Sequence, residues 1–105
     1  MRYIISIVFA VLSLGSVVLW WKEQVVTAAL LALLAIVFIR MHPQKRLLYS
    51  YGVAFVCGPF AEIAAMSAGA WQYTEPLVAG IPLWLPFLWG NAALFILVLN
   101  SQKTV

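Results

Sequence analysis

Charge is so sparse along this chain that its spacing alone decides the fold class. The nine charged residues are Arg2, Lys22, Glu23, Arg40, Lys45, Arg46, Glu62, Glu75 and Lys103. Between them lie uncharged runs of 19 residues (3–21), 16 (24–39), 15 (47–61), 12 (63–74) and 27 (76–102). A helix that crosses a bilayer takes about 17–25 mostly apolar residues, so the first two runs and the last supply one helix each. The third and fourth runs make one more when Glu62 lies inside it. The expected elements are helices at about 3–21, 24–40, 47–69 and 80–100. The expected fold class is all-α: a single polytopic membrane domain over 1–105, with four transmembrane helices in two hairpins. The second run is short, and Lys22 and Arg40 at its ends have stems long enough to snorkel toward the two headgroup layers.

Composition removes the alternatives. The chain is 66% hydrophobic and 9% charged, where a soluble protein is about 25% charged. A chain of 105 residues cannot hide that much apolar surface from water, because small domains bury the smallest share of what they expose. Disorder needs few large apolar residues and much charge, the opposite of this chain. The single Cys57 has no partner for a disulfide. The first helix follows Arg2 as the apolar part of a signal peptide would, but no small-x-small cleavage site immediately precedes Trp20-Trp21. It reads as a retained span.

Four spans place the N-terminus, the 40–46 loop and the C-terminal tail on one side. That side carries Arg2, Arg40, Lys45, Arg46 and Lys103, and the other carries only Lys22. Basic residues in short loops stay cytoplasmic, so both termini are expected in the cytoplasm, with the chain in the cell membrane (the cytoplasmic, inner membrane of a bacterium). The net charge of +3 is then a topology signal, and membrane lipids with anionic headgroups are its natural partners. Nucleic acid is not implied, since no basic patch is interleaved with exposed aromatics.

The two hairpins differ in kind. The first is aliphatic and free of proline, with small residues at packing intervals: Ser6, Ala10 and Ser13, then Ala28, Ala32 and Ala35. Small residues let membrane helices approach closely. No internal repeat relates the hairpins, so an inverted-repeat transporter architecture is not indicated. The second hairpin holds Cys57-Gly58-Pro59 and then Glu62, an outer loop with Trp71, Tyr73 and Glu75, and a fourth helix rich in proline and tryptophan, with Pro82, Trp84, Pro86 and Trp89 before Asn91. Each proline removes an N–H donor, and such breaks are tolerated in a membrane where protein or a wet cavity covers the freed carbonyls.

Glu62 is the candidate site residue. A carboxylate in lipid costs about 3 kcal/mol or more, so it should face the bundle interior, either protonated or paired. Gly58, Glu62 and Ala65 share a helical face that leaves room for a neighbour. With Gly69 as the outer end, Glu62 lies about 10 Å inward at 1.5 Å per residue, level with Phe87 on the returning helix. The Asn91 amide, the Trp84 or Trp89 indole and the Tyr73 hydroxyl are the donors within reach. The candidate binding set is Glu62, Asn91, Tyr73, Trp84 and Trp89. Two readings stand side by side: an interhelical hydrogen bond that fastens helices three and four, or a ligand, proton or substrate site. Trp71 and Tyr73 also fit an interfacial aromatic belt, while the deeper Trp84 and Trp89 suit the wall of an apolar or cation-binding pocket. The lone His42 makes no metal site, and no phosphate-binding loop or nucleophile motif implies a cofactor or a catalytic residue.

The stretch from Glu62-Ile63 through Gly69, Tyr73-Thr74 and Gly80-Ile81-Pro82 to Pro86 and Trp89 resembles a segment of the carotenoid-biosynthesis integral membrane proteins, the carotenoid hydratases and membrane lycopene cyclases. It covers fewer than 30 of the 105 residues. The resemblance implies a protein that handles isoprenoids, with Glu62 as an acid that protonates or orients a polyene. The chain departs from that group in size and in carrying one intramembrane acid. In size it is also similar to the small multidrug-resistance transporters, four-helix chains with one membrane glutamate and an aromatic cage. Here the glutamate lies in the third helix, and the one-sided basic residues oppose dual insertion. The reading is a small accessory or lipid- or isoprenoid-binding membrane protein, acting alone, as a homo-oligomer or with a partner subunit. The absence of a catalytic motif favours a non-enzymatic role. A proton-coupled transporter of small molecules is the alternative.

Overall fold

The computed structural model describes residues 2–73 and 80–103; Thr74, Glu75 and Pro76 of the outer loop lie outside the described residues. Four helices are present: α1 (Arg2–Trp20), α2 (Gln24–Met41), α3 (Lys45–Ser67) and α4 (Leu85–Lys103). No strand occurs among the described residues. α2 and α3 are each long and apolar enough to cross a membrane, and Ile4–Trp20 and Leu85–Asn100 are shorter apolar helices.

The helix ends follow from local chemistry. α1 turns into α2 through Trp21-Lys22-Glu23, where the Glu23 N–H donates to the Trp20 carbonyl at 2.9 Å. Thr27 donates its hydroxyl to the carbonyls of Trp20 and Glu23, tying the turn to the first turn of α2. α3 ends in a Schellman motif: Gly69 takes a φ of +86°, its N–H donates to Met66 at 2.9 Å, and the Ala70 N–H donates to Ala65 at 3.0 Å.

The largest departure from expectation is the start of α4. The spacing of the charges predicts a helix from about residue 80, and the helix begins at Leu85. Pro86 has no N–H, which is harmless in a first turn and disruptive one turn further in. It therefore holds the start of α4 close to itself. Gly80, with φ +84°, and Ile81 to Trp84 run into the bundle as a non-helical segment instead.

The helices run up, down, up, down. Phe9, Phe38, Leu47, Leu94 and Val98 cluster at one end, and Ala28, Leu31, Ile81, Trp84 and Leu85 at the other. α1, α2 and α4 pack on one another, while α3 leans chiefly on α4. Two reciprocal saddles make the α3–α4 seam. A Cβ on Gly58 would lie 2.2 Å from the Trp89 ring, and one on Gly90 would lie 2.4 Å from the Tyr51 ring. Each glycine is thus the hollow that receives an aromatic ring from the facing helix.

Polarity is distributed inside out. Ser6, Ser13, Ser16, Thr27 and Asn91 are buried, whereas Ile7, Val11, Leu14, Val18, Leu33, Val53 and Phe60 face outward. The small residues at packing intervals divide accordingly: Ser6, Ser13, Ala28 and Ala35 are buried, and Ala10 and Ala32 are half-buried.

Candidate functional site

Glu62 lies on α3, five residues before the helix ends at Ser67. Both carboxylate oxygens accept a hydrogen bond from within the chain. The Tyr73 hydroxyl donates to Oε1, and the Trp89 indole N–H donates to Oε2 at 2.5 Å. Gly58 makes the second contact possible, because it lets the Trp89 ring lie flat on α3 one turn before the carboxylate. Among the described residues no basic side chain pairs with Glu62, and no group of three His, Cys, Asp or Glu is placed to hold a metal.

Asn91 is not part of this constellation. It is 1% exposed, and its Nδ2 donates to Ser13 Oγ and to the Leu31 carbonyl, each at 3.1 Å. Two residues along a helix are about 200° apart at 3.6 residues per turn, so Trp89 on the α3 side puts Asn91 on the side of α1 and α2. The expectation that Asn91 reaches Glu62 is corrected on that ground. Its Oδ1 is buried with no hydrogen-bond partner.

Trp84 also directs its indole elsewhere, to the Trp21 carbonyl at 3.0 Å. Its ring stays at the site, meeting Tyr73 edge-on at 6.2 Å between centroids. Gln24 escapes sequence reasoning. Its Oε1 accepts the Leu83 N–H at 2.7 Å, which holds the non-helical segment 80–84 against the α1–α2 turn. The signal was present: a polar side chain at the head of an apolar helix, opposite a proline-bracketed N–H with no helical acceptor.

These contacts enclose a groove of about 320 Å³. Val17 of α1 forms one wall and Glu62 of α3 the other. Trp84, the first turns of α4 (Leu85, Leu88, Trp89 and Ala92) and Tyr73 complete the lining. Tyr73 also borders a second cavity of about 480 Å³ at the loop end, between Ile63, Met66, Gly80 and the polar Ser67 and Gln72. No protein-family model, curated protein or solved structure matches this chain. What the site can do is therefore argued from its own geometry.

Tyr73 is held as a neutral phenol. Burial pushes its pKa above the ordinary 10, and the hydrogen bond to Glu62 and that residue's charge push the same way. A neutral phenol keeps its own proton and donates it to Glu62 at any physiological pH. A carboxylate has about four acceptor positions, and two are filled by Tyr73 and Trp89. The remaining two can accept from a molecule in the groove, whose other walls are apolar and aromatic.

Proposed function

We propose that this chain is a four-span membrane protein, both termini cytoplasmic, that holds the apolar chain of a lipid or isoprenoid in the lateral groove beside Glu62. The observation that carries the reading is the groove itself: about 320 Å³ of largely apolar space with one carboxylate in its lining. Ligand sites are mostly apolar clefts of about 300–1,000 Å³ with a few convergent polar groups.

The membrane part rests on the distribution of polarity and charge. Ser6, Ser13, Ser16, Thr27 and Asn91 are inside while many valines, leucines and isoleucines are outside, which suits hydrocarbon as the surrounding solvent and not water. The molecule is 42 Å along its longest axis, close to the roughly 40–45 Å of a bilayer with its headgroup layers. Arg40, Lys45 and Arg46 lie at the same end as the N-terminus of α1 and the C-terminus of α4, and Lys22 at the other. Positive residues mark the cytoplasmic side. The resemblance of residues 62–89 to carotenoid-biosynthesis membrane proteins favours an isoprenoid among the lipids.

The transporter alternative requires a carboxylate that meets each side of the membrane in turn. Glu62 sits in the last two turns of α3, tied to a loop tyrosine at that same end, a placement suited to holding a molecule and not to passing it across.

Native mass spectrometry from mild detergent tests the reading. The expected spectrum shows a retained lipid or isoprenoid, enriched over its share of the membrane, and Ala92→Phe removes it by filling the groove. A folded protein that carries nothing beyond bulk lipid overturns the proposal.

A further inference from the structure

The inference concerns what the groove selects, and it rests on the lipid-holding reading above. The charges around the site are one-sided. Among the described residues, neither the groove nor the adjoining loop-end cavity is lined by a lysine, arginine or histidine, and Glu62 is the one carboxylic acid at either. Lys22, the basic residue at this end of the bundle, places its ammonium over the Trp21 ring at 5.3 Å and lines neither cavity. The segment from 74 to 79 contains no basic residue either.

A helix N-terminus favours anions through its free N–H groups, and α4 begins at the groove. This one offers little. Pro86 has no N–H, the Leu85 N–H donates to Pro82 at 3.2 Å and the Leu88 N–H donates to Trp84 at 3.0 Å, which leaves the Phe87 N–H alone in that turn. An anionic head entering here would meet a carboxylate with no cation to offset it. A hydroxyl or an ammonium would meet two open acceptor positions on Glu62. The ammonium would also meet the aromatic faces that favour a cation.

We infer that the Glu62 groove selects its ligand by head group. It takes an amphiphile whose head donates a hydrogen bond and carries no negative charge, and it rejects prenyl phosphates and other anionic amphiphiles. The tail lies between Val17, Leu85, Leu88 and Ala92, and the head reaches Glu62 beside Tyr73. Trp89 and Tyr73 hold the carboxylate in place by taking one oxygen each.

Three probes with one tail separate head from chain: farnesol, farnesylamine and farnesyl diphosphate. Each is titrated into the full chain in nanodiscs of neutral phosphatidylcholine, with binding read by tryptophan emission. Ala92→Phe provides the background for partitioning into the bilayer, and Leu88→Phe serves if that variant does not fold. The alcohol, the amine or both should bind at least about tenfold more tightly than the diphosphate, a factor of ten being about 1.4 kcal/mol. Preference between alcohol and amine assigns the head as hydroxyl or ammonium. Glu62→Gln should weaken the amine by about tenfold and the alcohol less, since a carboxamide still accepts. A diphosphate that binds as tightly as the alcohol and amine overturns the head-group inference and leaves the groove reading standing. Failure of all three to bind above the Ala92→Phe background overturns the groove reading as well.

Discussion

Gly58→Ala is the substitution that most directly tests how the site is assembled. The new Cβ would lie 2.2 Å from Trp89 Cδ2, 2.3 Å from Cγ and 2.7 Å from Cε3. Carbon atoms settle about 3.5–4.0 Å apart, so the ring must retreat by more than an ångström. Rotation of the ring about χ2 does not relieve this, because Cγ lies on the rotation axis. Either χ1 changes or α3 and α4 move apart. The indole Nε1 stands 2.5 Å from Glu62 Oε2, and a retreat of that size away from α3 takes it beyond hydrogen-bonding distance. Overpacking a fitted site costs about 1–3 kcal/mol, and a side-chain hydrogen bond between membrane helices averages about 0.6 kcal/mol. Set against the helix-propensity gain of up to about 1 kcal/mol that any Gly→Ala in a helix interior brings, the expected net loss is about 1–3 kcal/mol.

Gly52→Ala supplies the comparison within the same helix. Nothing lies within 4 Å of a Cβ at Gly52, so that substitution reports helix propensity alone, a gain of up to about 1 kcal/mol. Both variants are unfolded reversibly in mixed micelles with increasing dodecyl sulfate, and the midpoint is read by tryptophan emission. Gly58→Ala should unfold well before the parent chain and Gly52→Ala at or after it. A Trp89→Leu background should remove most of the difference, since the clash is with the indole. Equal midpoints for Gly58→Ala and Gly52→Ala would refute the saddle and the aiming of Trp89 that depends on it.

Gly90→Ala places a Cβ 2.4 Å from Tyr51 Cε2 and should destabilise by a similar 1–3 kcal/mol, roughly, in the same unfolding assay; Gly15→Ala, with nothing within 4 Å, should not. Asn91→Leu removes two donated bonds and also an unpaired buried Oδ1, so its net cost should be at most about 1 kcal/mol, and a loss of several would mean that Asn91 is a keystone of the bundle. Tyr73 should ionise at higher pH than a free tyrosine, as read by the tyrosinate absorbance lost in Tyr73→Phe. With a raised folded-state pKa, the stability tied to the neutral phenol is complete below pH 10 or so and declines as pH rises from there toward the folded-state value; ionisation of Tyr73 at or below pH 10 or so would remove the contact with Glu62 from the account.

The four helices are legible in the charges because three of the uncharged runs hold one helix each and the other two join across Glu62 into α3. α2 was expected at 24–40 and runs from Gln24 to Met41. α4 was misplaced by five residues at its start because run length counts apolar residues without regard to Pro82 and Pro86. That shift carries into the site. The depth of Glu62 pointed to the level of Phe87, and the reach of a tryptophan made Trp89 the partner. The room beside Glu62 was readable from Gly58, one turn away on the same face. What fills it was not, since that depends on the rotation of α4 and on a rotamer. A pocket wall was readable in Trp84 and Trp89, but the share of α1 in it was not, because the groove exists through α3 leaning on α4 and leaving Val17 of α1 open to the site.

The two readings of Glu62 separate on energetic grounds. If the carboxylate only fastened α3 to α4, it would duplicate what the Gly58–Trp89 and Gly90–Tyr51 saddles already provide. Shape holds that seam without a charge. A buried charge is often matched or exceeded in stability by a well-packed apolar residue, and here its partners are two neutral donors, with no cation among the described residues to offset it. Tyr73 is half-buried, and Trp89 is 36% exposed, so neither donor is sealed from other acceptors when the carboxylate goes. Glu62→Leu is therefore expected to stay folded and inserted, within about 1 kcal/mol of the parent, while losing the molecule held in the groove. A fastening role predicts the reverse: unfolding at much lower dodecyl sulfate, with lipid retention unchanged in whatever protein remains folded. Native mass spectra and unfolding midpoints on that one variant decide between them.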